Sequence, residues 1–212
     1  MTADRVVYFD LDGTLVTYDR SFRAIFEDGV HPVGDDVYDV YTTALFDAID
    51  EAASTPYRDA FTTTVEQTDL AGDPESLAAA YIDAEVAAAT AVEGARSVLE
   101  TATDQGPVGV LTNGAGPVQR RKLAALDLTT HVDVVVASGE AGHRKPAADL
   151  FAIAEDRLSG DDYVYVCDDP VADVGGATGV GWTTILVGAT PEADEPPSTE
   201  TVDSLTAVGD HL

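Results

Sequence analysis

Five short runs of consecutive apolar and β-branched residues interrupt this chain: Arg5 to Phe9, Val108 to Leu111, Val132 to Val136, Tyr163 to Cys167 and Thr183 to Val187. None alternates polar with apolar, so each reads as a strand buried on both faces, the mark of a parallel sheet with crossover helices. Between them the period changes to the helical one, predicting helices over 95–104, 117–126 and 147–158. The first two strands are separated by roughly 90 residues, against the ~10–12 that a crossover needs. Within that span Val37, Val40, Tyr41, Ala44, Leu45, Ala48, Ile49 and Ala52 repeat at helical spacing. Asp73-Pro74-Glu75 supplies an N-cap, a proline at the first helical position and an acid in the first turn of a further helix reaching Thr90. The expected architecture is a doubly wound, parallel-sheet α/β core of residues 1–16 and 92–212, with an α-helical domain inserted over 17–91. The Pro- and acid-rich stretch Ala189 to Thr201 predicts a loop, followed by a last short helix near Asp203 to Leu212.

Charge changes the picture. Thirty-nine acidic against 11 basic side chains give the 212-residue chain a formal charge of −28, yet 45% of it is hydrophobic, enough to build a core. Binding of nucleic acid or an anionic membrane through clustered Lys and Arg is disfavoured. Only two of the basic residues are lysines, Lys122 and Lys145. Abundant carboxylates with scarce lysine suit a saline cytoplasm, because in molar salt the Debye length shrinks to ~3 Å and like charges repel little. A single cysteine, no run of ~18 apolar residues and no basic-then-apolar N-terminus point to a cytoplasmic chain without an internal disulfide.

Polar clusters fall at strand ends or helix starts: Asp10 and Asp12, Thr112-Asn113-Gly114, Lys145-Pro146, Asp168 and Asp169, and Asp173. Open α/β sheets gather strand C-termini into one crevice, so residues far apart in sequence can share a site. Carboxylates crowded there call for a cation, and hard oxygen ligands suit Mg²⁺. A hydroxyl and a fixed positive charge beside them, Thr112 and Lys145, suit a phosphate.

At these residues the chain resembles the haloacid dehalogenase superfamily of hydrolases, in its phosphatase branch with a helical cap (subfamily I). FDLDGTL (Phe9 to Leu15), LTNG (Leu111 to Gly114), GHRKP (Gly142 to Pro146) and VCDDPVADVGGA (Val166 to Ala177) occur in the family's order, and Gln119 to Leu123 is also similar. The resemblance implies that Asp10 is the nucleophile and Asp12 the general acid and base. It also implies that Thr112 hydrogen-bonds the phosphoryl group and that Lys145 neutralises charge. Asp10, Asp168 and Asp173, with the Asp12 main-chain carbonyl, would hold Mg²⁺, and Asp169 is a further possible ligand. Gly13 and Thr14 complete the phosphate-binding loop, and Asn113 either positions Asp10 or shapes its turn. Asp12 favours a phosphatase over a dehalogenase, because a halide leaves without a proton and an alkoxide does not. Cys167 stands where the family usually has glycine and is expected to pack as a small hydrophobe.

The substrate implied is a small phosphorylated metabolite, selected by the cap. A sugar-phosphate mutase uses the same residues, and a 2-haloacid dehalogenase or a non-catalytic phospho-binding protein are further alternatives. Arg58, beside Tyr57, is the candidate to grip a second anionic group of the substrate, whereas Arg23 is expected to pair with Glu27 one helical turn on. Lys122, next to Arg120 and Arg121, is expected on a solvated face with no functional role. The four histidines show no metal-ligand spacing. Alanine-rich cap helices suit a dimer face and internal packing equally, which leaves the oligomeric state open.

Overall fold

The computed structural model describes residues 5–31, 34–188 and 196–212. Strand β1 (Arg5–Phe9) is followed by β2 (Val16–Tyr18) and by helices α1 (Phe22–Gly29), α2 (Asp35–Asp50), α3 (Pro56–Gln67) and α4 (Pro74–Ala88). The chain continues through β3 (Ala89–Ala91), α5 (Ala95–Gln105), β4 (Val108–Thr112), α6 (Gly116–Ala125), β5 (Val134–Ala137), α7 (Ser138–Ala141) and α8 (Ala148–Arg157). It ends with β6 (Asp162–Cys167), α9 (Gly175–Gly179), β7 (Thr183–Val187) and β8 (Glu200–Val202).

Six strands form one sheet in the order β5-β4-β1-β6-β7-β8, and every neighbouring pair is parallel. Alternate residues of β1 explain its unbroken apolar run. Val7 and Phe9 enter one cluster with Leu99 of α5, while Val6 and Tyr8 enter another with Phe151 of α8. Helices cover both faces, so neither side of the strand can carry polar residues. This is the doubly wound α/β fold.

The four helices between β2 and β3 surround their own apolar cluster, in which the rings of Tyr41 and Phe61 lie 4.4 Å apart and both meet Phe26. Local signals start two of them. Asp73 accepts from the Ser76 amide at 3.0 Å, and Ser21 accepts from the Ala24 amide at 3.3 Å. Arg23 pairs with Glu27 at 2.9 Å on the surface of α1, as their spacing predicts. Among the described residues no helix is long and apolar enough to cross a membrane.

The structure departs from the sequence expectations in three places. Antiparallel pairing of β2 with β3 forms a short ribbon joining the helical insertion to the sheet. At three residues each, these strands are too short to leave a pattern. Glu200–Val202 is strand β8, not loop, because the open edge of β7 supplies its hydrogen-bonding partner; Ala189 to Glu195 of the same stretch lie outside the described residues. Lys122 is 1% exposed rather than solvated, because α6 turns Val118, Gln119, Lys122 and Leu123 inward and leaves Arg120 and Arg121 outside.

Candidate active site

The C-terminal ends of β1, β4 and β6 lie side by side, and the loops leaving them converge. Asp10 follows β1 directly, and its amide donates to the Val166 carbonyl at 2.9 Å. The loop then turns through Gly13, whose φ of +96° disfavours any side chain. A Cβ there would lie 2.2 Å from Asp168 Oδ2. The buried Thr14 hydroxyl meanwhile donates to Asp168 Oδ1 at 3.0 Å. Gly13→Ala is therefore expected to displace Asp168 and destabilise the fold by about 1–3 kcal/mol. Lower thermal stability together with weaker Mg²⁺ binding, read by calorimetric titration, checks this; unchanged values for both contradict it.

One half of the site is a buried charge cluster. Lys145 Nζ lies 2.7 Å from Asp10 Oδ1 and 2.6 Å from Asp173 Oδ1, and it donates to the Tyr165 hydroxyl at 2.8 Å. That hydroxyl donates in turn to the Leu111 carbonyl at 2.8 Å, so a tyrosine of β6 fixes the ammonium below the crevice. Carboxylate oxygens of Asp10, Asp168 and Asp173 all lie within 4.8 Å of one another. Three acids face one base. Burial pushes the Asp10 carboxyl up to about 8, against the pull of Lys145 and with the help of Asp173. Burial also raises Asp168. Asp173 Oδ2 is buried without a hydrogen-bond partner. An orphaned carboxylate oxygen in an all-oxygen acidic cluster fits a hard divalent cation such as Mg²⁺.

The other half faces the helical insertion and is built around Asp12. Tyr18 donates to its Oδ1 at 2.6 Å and Gln119 Nε2 to its Oδ2 at 2.8 Å, while Lys122 Nζ reaches both oxygens at 2.9 and 3.1 Å. Burial alone would raise this carboxyl, but the Lys122 ammonium and these hydrogen bonds outweigh it and hold it below the usual carboxylate range. Gln119 Nε2 also donates to Thr112 Oγ1 at 2.9 Å, leaving the Thr112 hydroxyl proton free for another acceptor. Lys122 has a second buried partner, Glu85 of α4, at 2.7 Å. Tyr57 donates to the same Glu85 oxygen at 3.3 Å, and the Tyr18 hydroxyl lies 3.1 Å from it. A cavity of about 210 Å³ opens from Asp12 into the insertion, between Glu85, Gln119 and aromatic side chains.

Not every residue singled out from the sequence reaches the crevice. Arg58 pairs with Asp59 at 3.1 Å, donates to Thr55 at 2.8 Å, and does not line the cavity. Asp169 caps the turn over Pro170–Val174, its Oδ1 accepting from the Val171 and Ala172 amides at 2.7 and 2.8 Å. Asn113 does line the cavity, and it clasps the Lys145 backbone, accepting from its amide at 2.9 Å and donating to its carbonyl at 3.2 Å. Cys167 is buried in the apolar cluster of Tyr165 and Val174. Conversely, Lys122, Glu85, Tyr18 and Tyr165 carry no role in the sequence reading. Lys122 had a local signal, since it stands four residues after Val118 on the apolar stripe of α6. Glu85 had the same kind of signal, standing four residues after Tyr81 and seven after Ala78 on the buried stripe of α4.

Comparison with known proteins places the chain in a family. A family profile described as haloacid dehalogenase-like hydrolase matches residues 7–187. A ribulose-1,5-bisphosphate 5-phosphatase from Halopiger xanaduensis is 36% identical over 135 residues, and the match spans 62% of this chain and 55% of that protein. The pyrimidine 5′-nucleotidase YjjG of Escherichia coli is 27% identical over 219 residues, covering 94% of this chain and 93% of its own. Among solved structures, the L-2-haloacid dehalogenase of Xanthobacter autotrophicus superposes with a TM-score of 0.75 at 19% identity, over 98% of this chain and 97% of that one, a likeness of fold alone. With the family profile spanning nearly the whole chain and its motif residues gathered at the ends of β1, β4 and β6, the protein belongs to the haloacid dehalogenase-like hydrolase family.

Proposed function

We propose that this chain is a Mg²⁺-dependent phosphatase that hydrolyses a small phosphomonoester through an aspartyl-phosphate on Asp10, with residues 17–91 acting as the cap. The observation that carries the reading is Asp12: an acid two residues after the nucleophile, held by Tyr18, Gln119 and Lys122 at the mouth of the cavity that would receive the leaving group. Asp10 attacks phosphorus, the bond to the alcohol oxygen breaks, and Asp12 gives the departing oxygen its proton. In the second step Asp12 takes a proton from the attacking water, the bond from phosphorus to Asp10 breaks, and inorganic phosphate leaves. The Lys122 ammonium and the hydrogen bonds from Tyr18 and Gln119 hold the Asp12 carboxyl below the usual range, which suits the base role; for the acid role Asp12 takes up a proton from water in the cavity before the ester bond breaks. Thr112 offers its free hydroxyl proton to a phosphoryl oxygen, and Lys145 balances charge on Asp10. Asp10, Asp168 and Asp173 would hold Mg²⁺, which when bound supplies positive charge to the phosphoryl oxygens. The names of the phosphatase relatives support the same reaction class.

The test is release of inorganic phosphate from a panel of small phosphate esters with Mg²⁺ in molar KCl, run beside halide release from 2-haloacids. Phosphate without halide is expected; halide without phosphate would overturn the reading. The charge of −28 supports a salt-adapted protein. The urea midpoint of unfolding is accordingly expected to be higher in molar KCl than in dilute buffer, and an equal or lower midpoint in KCl contradicts salt adaptation.

A further inference from the structure

Two residues in the wall of the cap cavity each carry a buried acceptor without a donor. Glu85 Oε2 and Gln119 Oε1 are both buried without a hydrogen-bond partner, and both residues line the space beside Asp12. Glu85 is 4% exposed and its other oxygen is pinned by Lys122, Tyr18 and Tyr57, so the free oxygen cannot rotate away to find water elsewhere. Unpaired buried acceptors are costly and are met by a ligand that brings donors. The walls are Phe22, Tyr38, Tyr41, Phe46, Tyr57 and Tyr81. Phe22 and Phe46 are 50% and 62% exposed, which leaves apolar ring faces open to a flat guest.

Charge narrows the guest further. Lys122 is the one Lys or Arg lining the cavity, and it already faces both Asp12 and Glu85, so the lining is net negative. The arginines of the cap, Arg20, Arg23 and Arg58, are exposed and paired with carboxylates at the surface. Among the described residues of the cap, no arginine or lysine is left unpaired to hold a second phosphate or a carboxylate.

We propose that the cavity selects phosphate monoesters whose alcohol carries an uncharged flat ring with N–H or O–H donors, the class to which nucleoside monophosphates belong, with Glu85 Oε2 and Gln119 Oε1 as the recognising acceptors. The proposal rests on the phosphatase reading above and adds the substrate class. A second anionic group on the alcohol would meet like charge with no counter-ion.

The experiment measures kcat/KM in molar KCl with Mg²⁺ for phenyl phosphate, uridine monophosphate, a sugar bisphosphate and phosphoserine. Uridine monophosphate is expected to exceed the bisphosphate and phosphoserine by at least about tenfold. Glu85→Gln converts the free acceptor into an amide donor. It should lower the ratio of uridine monophosphate to phenyl phosphate about tenfold. Should that variant not fold, free uridine is tested as an inhibitor of phenyl phosphate hydrolysis by the native protein. Competitive inhibition that weakens about tenfold when the ring N–H is methylated supports the donor requirement. Preference for the bisphosphate or phosphoserine, or equal inhibition by the methylated ring, overturns the substrate class and leaves the phosphatase reading standing. Silence on all four esters from a folded protein overturns both.

Discussion

Asp10→Asn is expected to lower phosphate release by a factor on the order of 10⁴ or more, with no loss of folding stability. An amide cannot form the acyl phosphate, and nothing else in the buried cluster is placed to replace it: Asp173 already faces Lys145 at 2.6 Å, and Asp168 receives the Thr14 hydroxyl. Stability is preserved for a separate reason. The cluster holds three carboxylates against one ammonium, so removing one negative charge relieves repulsion while Lys145 keeps Asp173 as partner. The upward shift of the Asp10 carboxyl, caused first by burial, points the same way. Phosphate release and thermal unfolding measured together check both halves. Residual turnover within tenfold of the native protein would rule out covalent catalysis at Asp10.

Lys122→Met should cost about 3–5 kcal/mol of stability, because breaking a buried ion pair from one side leaves uncompensated charge. Glu85, with a side chain 5% exposed, accounts for most of it; Asp12, at 34%, retains some solvent and accounts for less. The pH dependence has a definite sign. In the native protein Asp12 titrates below its unfolded value of about 3.9, so its pairing stabilises above that pH and fades as pH falls through the folded value. Without Lys122 the Asp12 carboxyl loses the ammonium that offsets its burial, and its titration moves up. The deficit of the variant should therefore be greatest near neutral pH and shrink on acidification towards pH ~4. Urea unfolding at several pH values reads this directly. A deficit that grows as pH falls would show that Lys122 does not carry the charge balance of Asp12 and Glu85. Activity should fall as well, since Asp12 loses the ammonium that holds its ionised form.

The positions of these two residues show how far a local sequence pattern reaches. Asp10 was legible because it closes an apolar run and begins a Gly-containing turn, a local pattern, and because three further motifs follow it in order. Lys122 was misread because its neighbours Arg120 and Arg121 are solvated, and charge in a helix is usually a surface property. The ammonium is buried only because α4 of the insertion brings Glu85 against α6. Neither helix contains that information alone.

The sequence by itself determined the elements whose causes are local: five of the six strands of the main sheet, helices α5, α6 and α8 between them, the Asp73 cap, the Arg23 to Glu27 pair and the order of the acidic loops. Each follows from periodicity, propensity or a neighbour within one turn. Tertiary structure alone decided that β2 pairs with β3, that Glu200–Val202 joins the edge of β7, and that Tyr165 and Asn113 hold Lys145 in place. It alone decided the polar lining of the cap cavity, where Glu85 of α4 and Gln119 of α6 come together across 34 positions of sequence. Such contacts depend on how separate elements dock. A carboxylate in a chain with 39 acids does not reveal, before docking, whether it will meet water or a buried lysine.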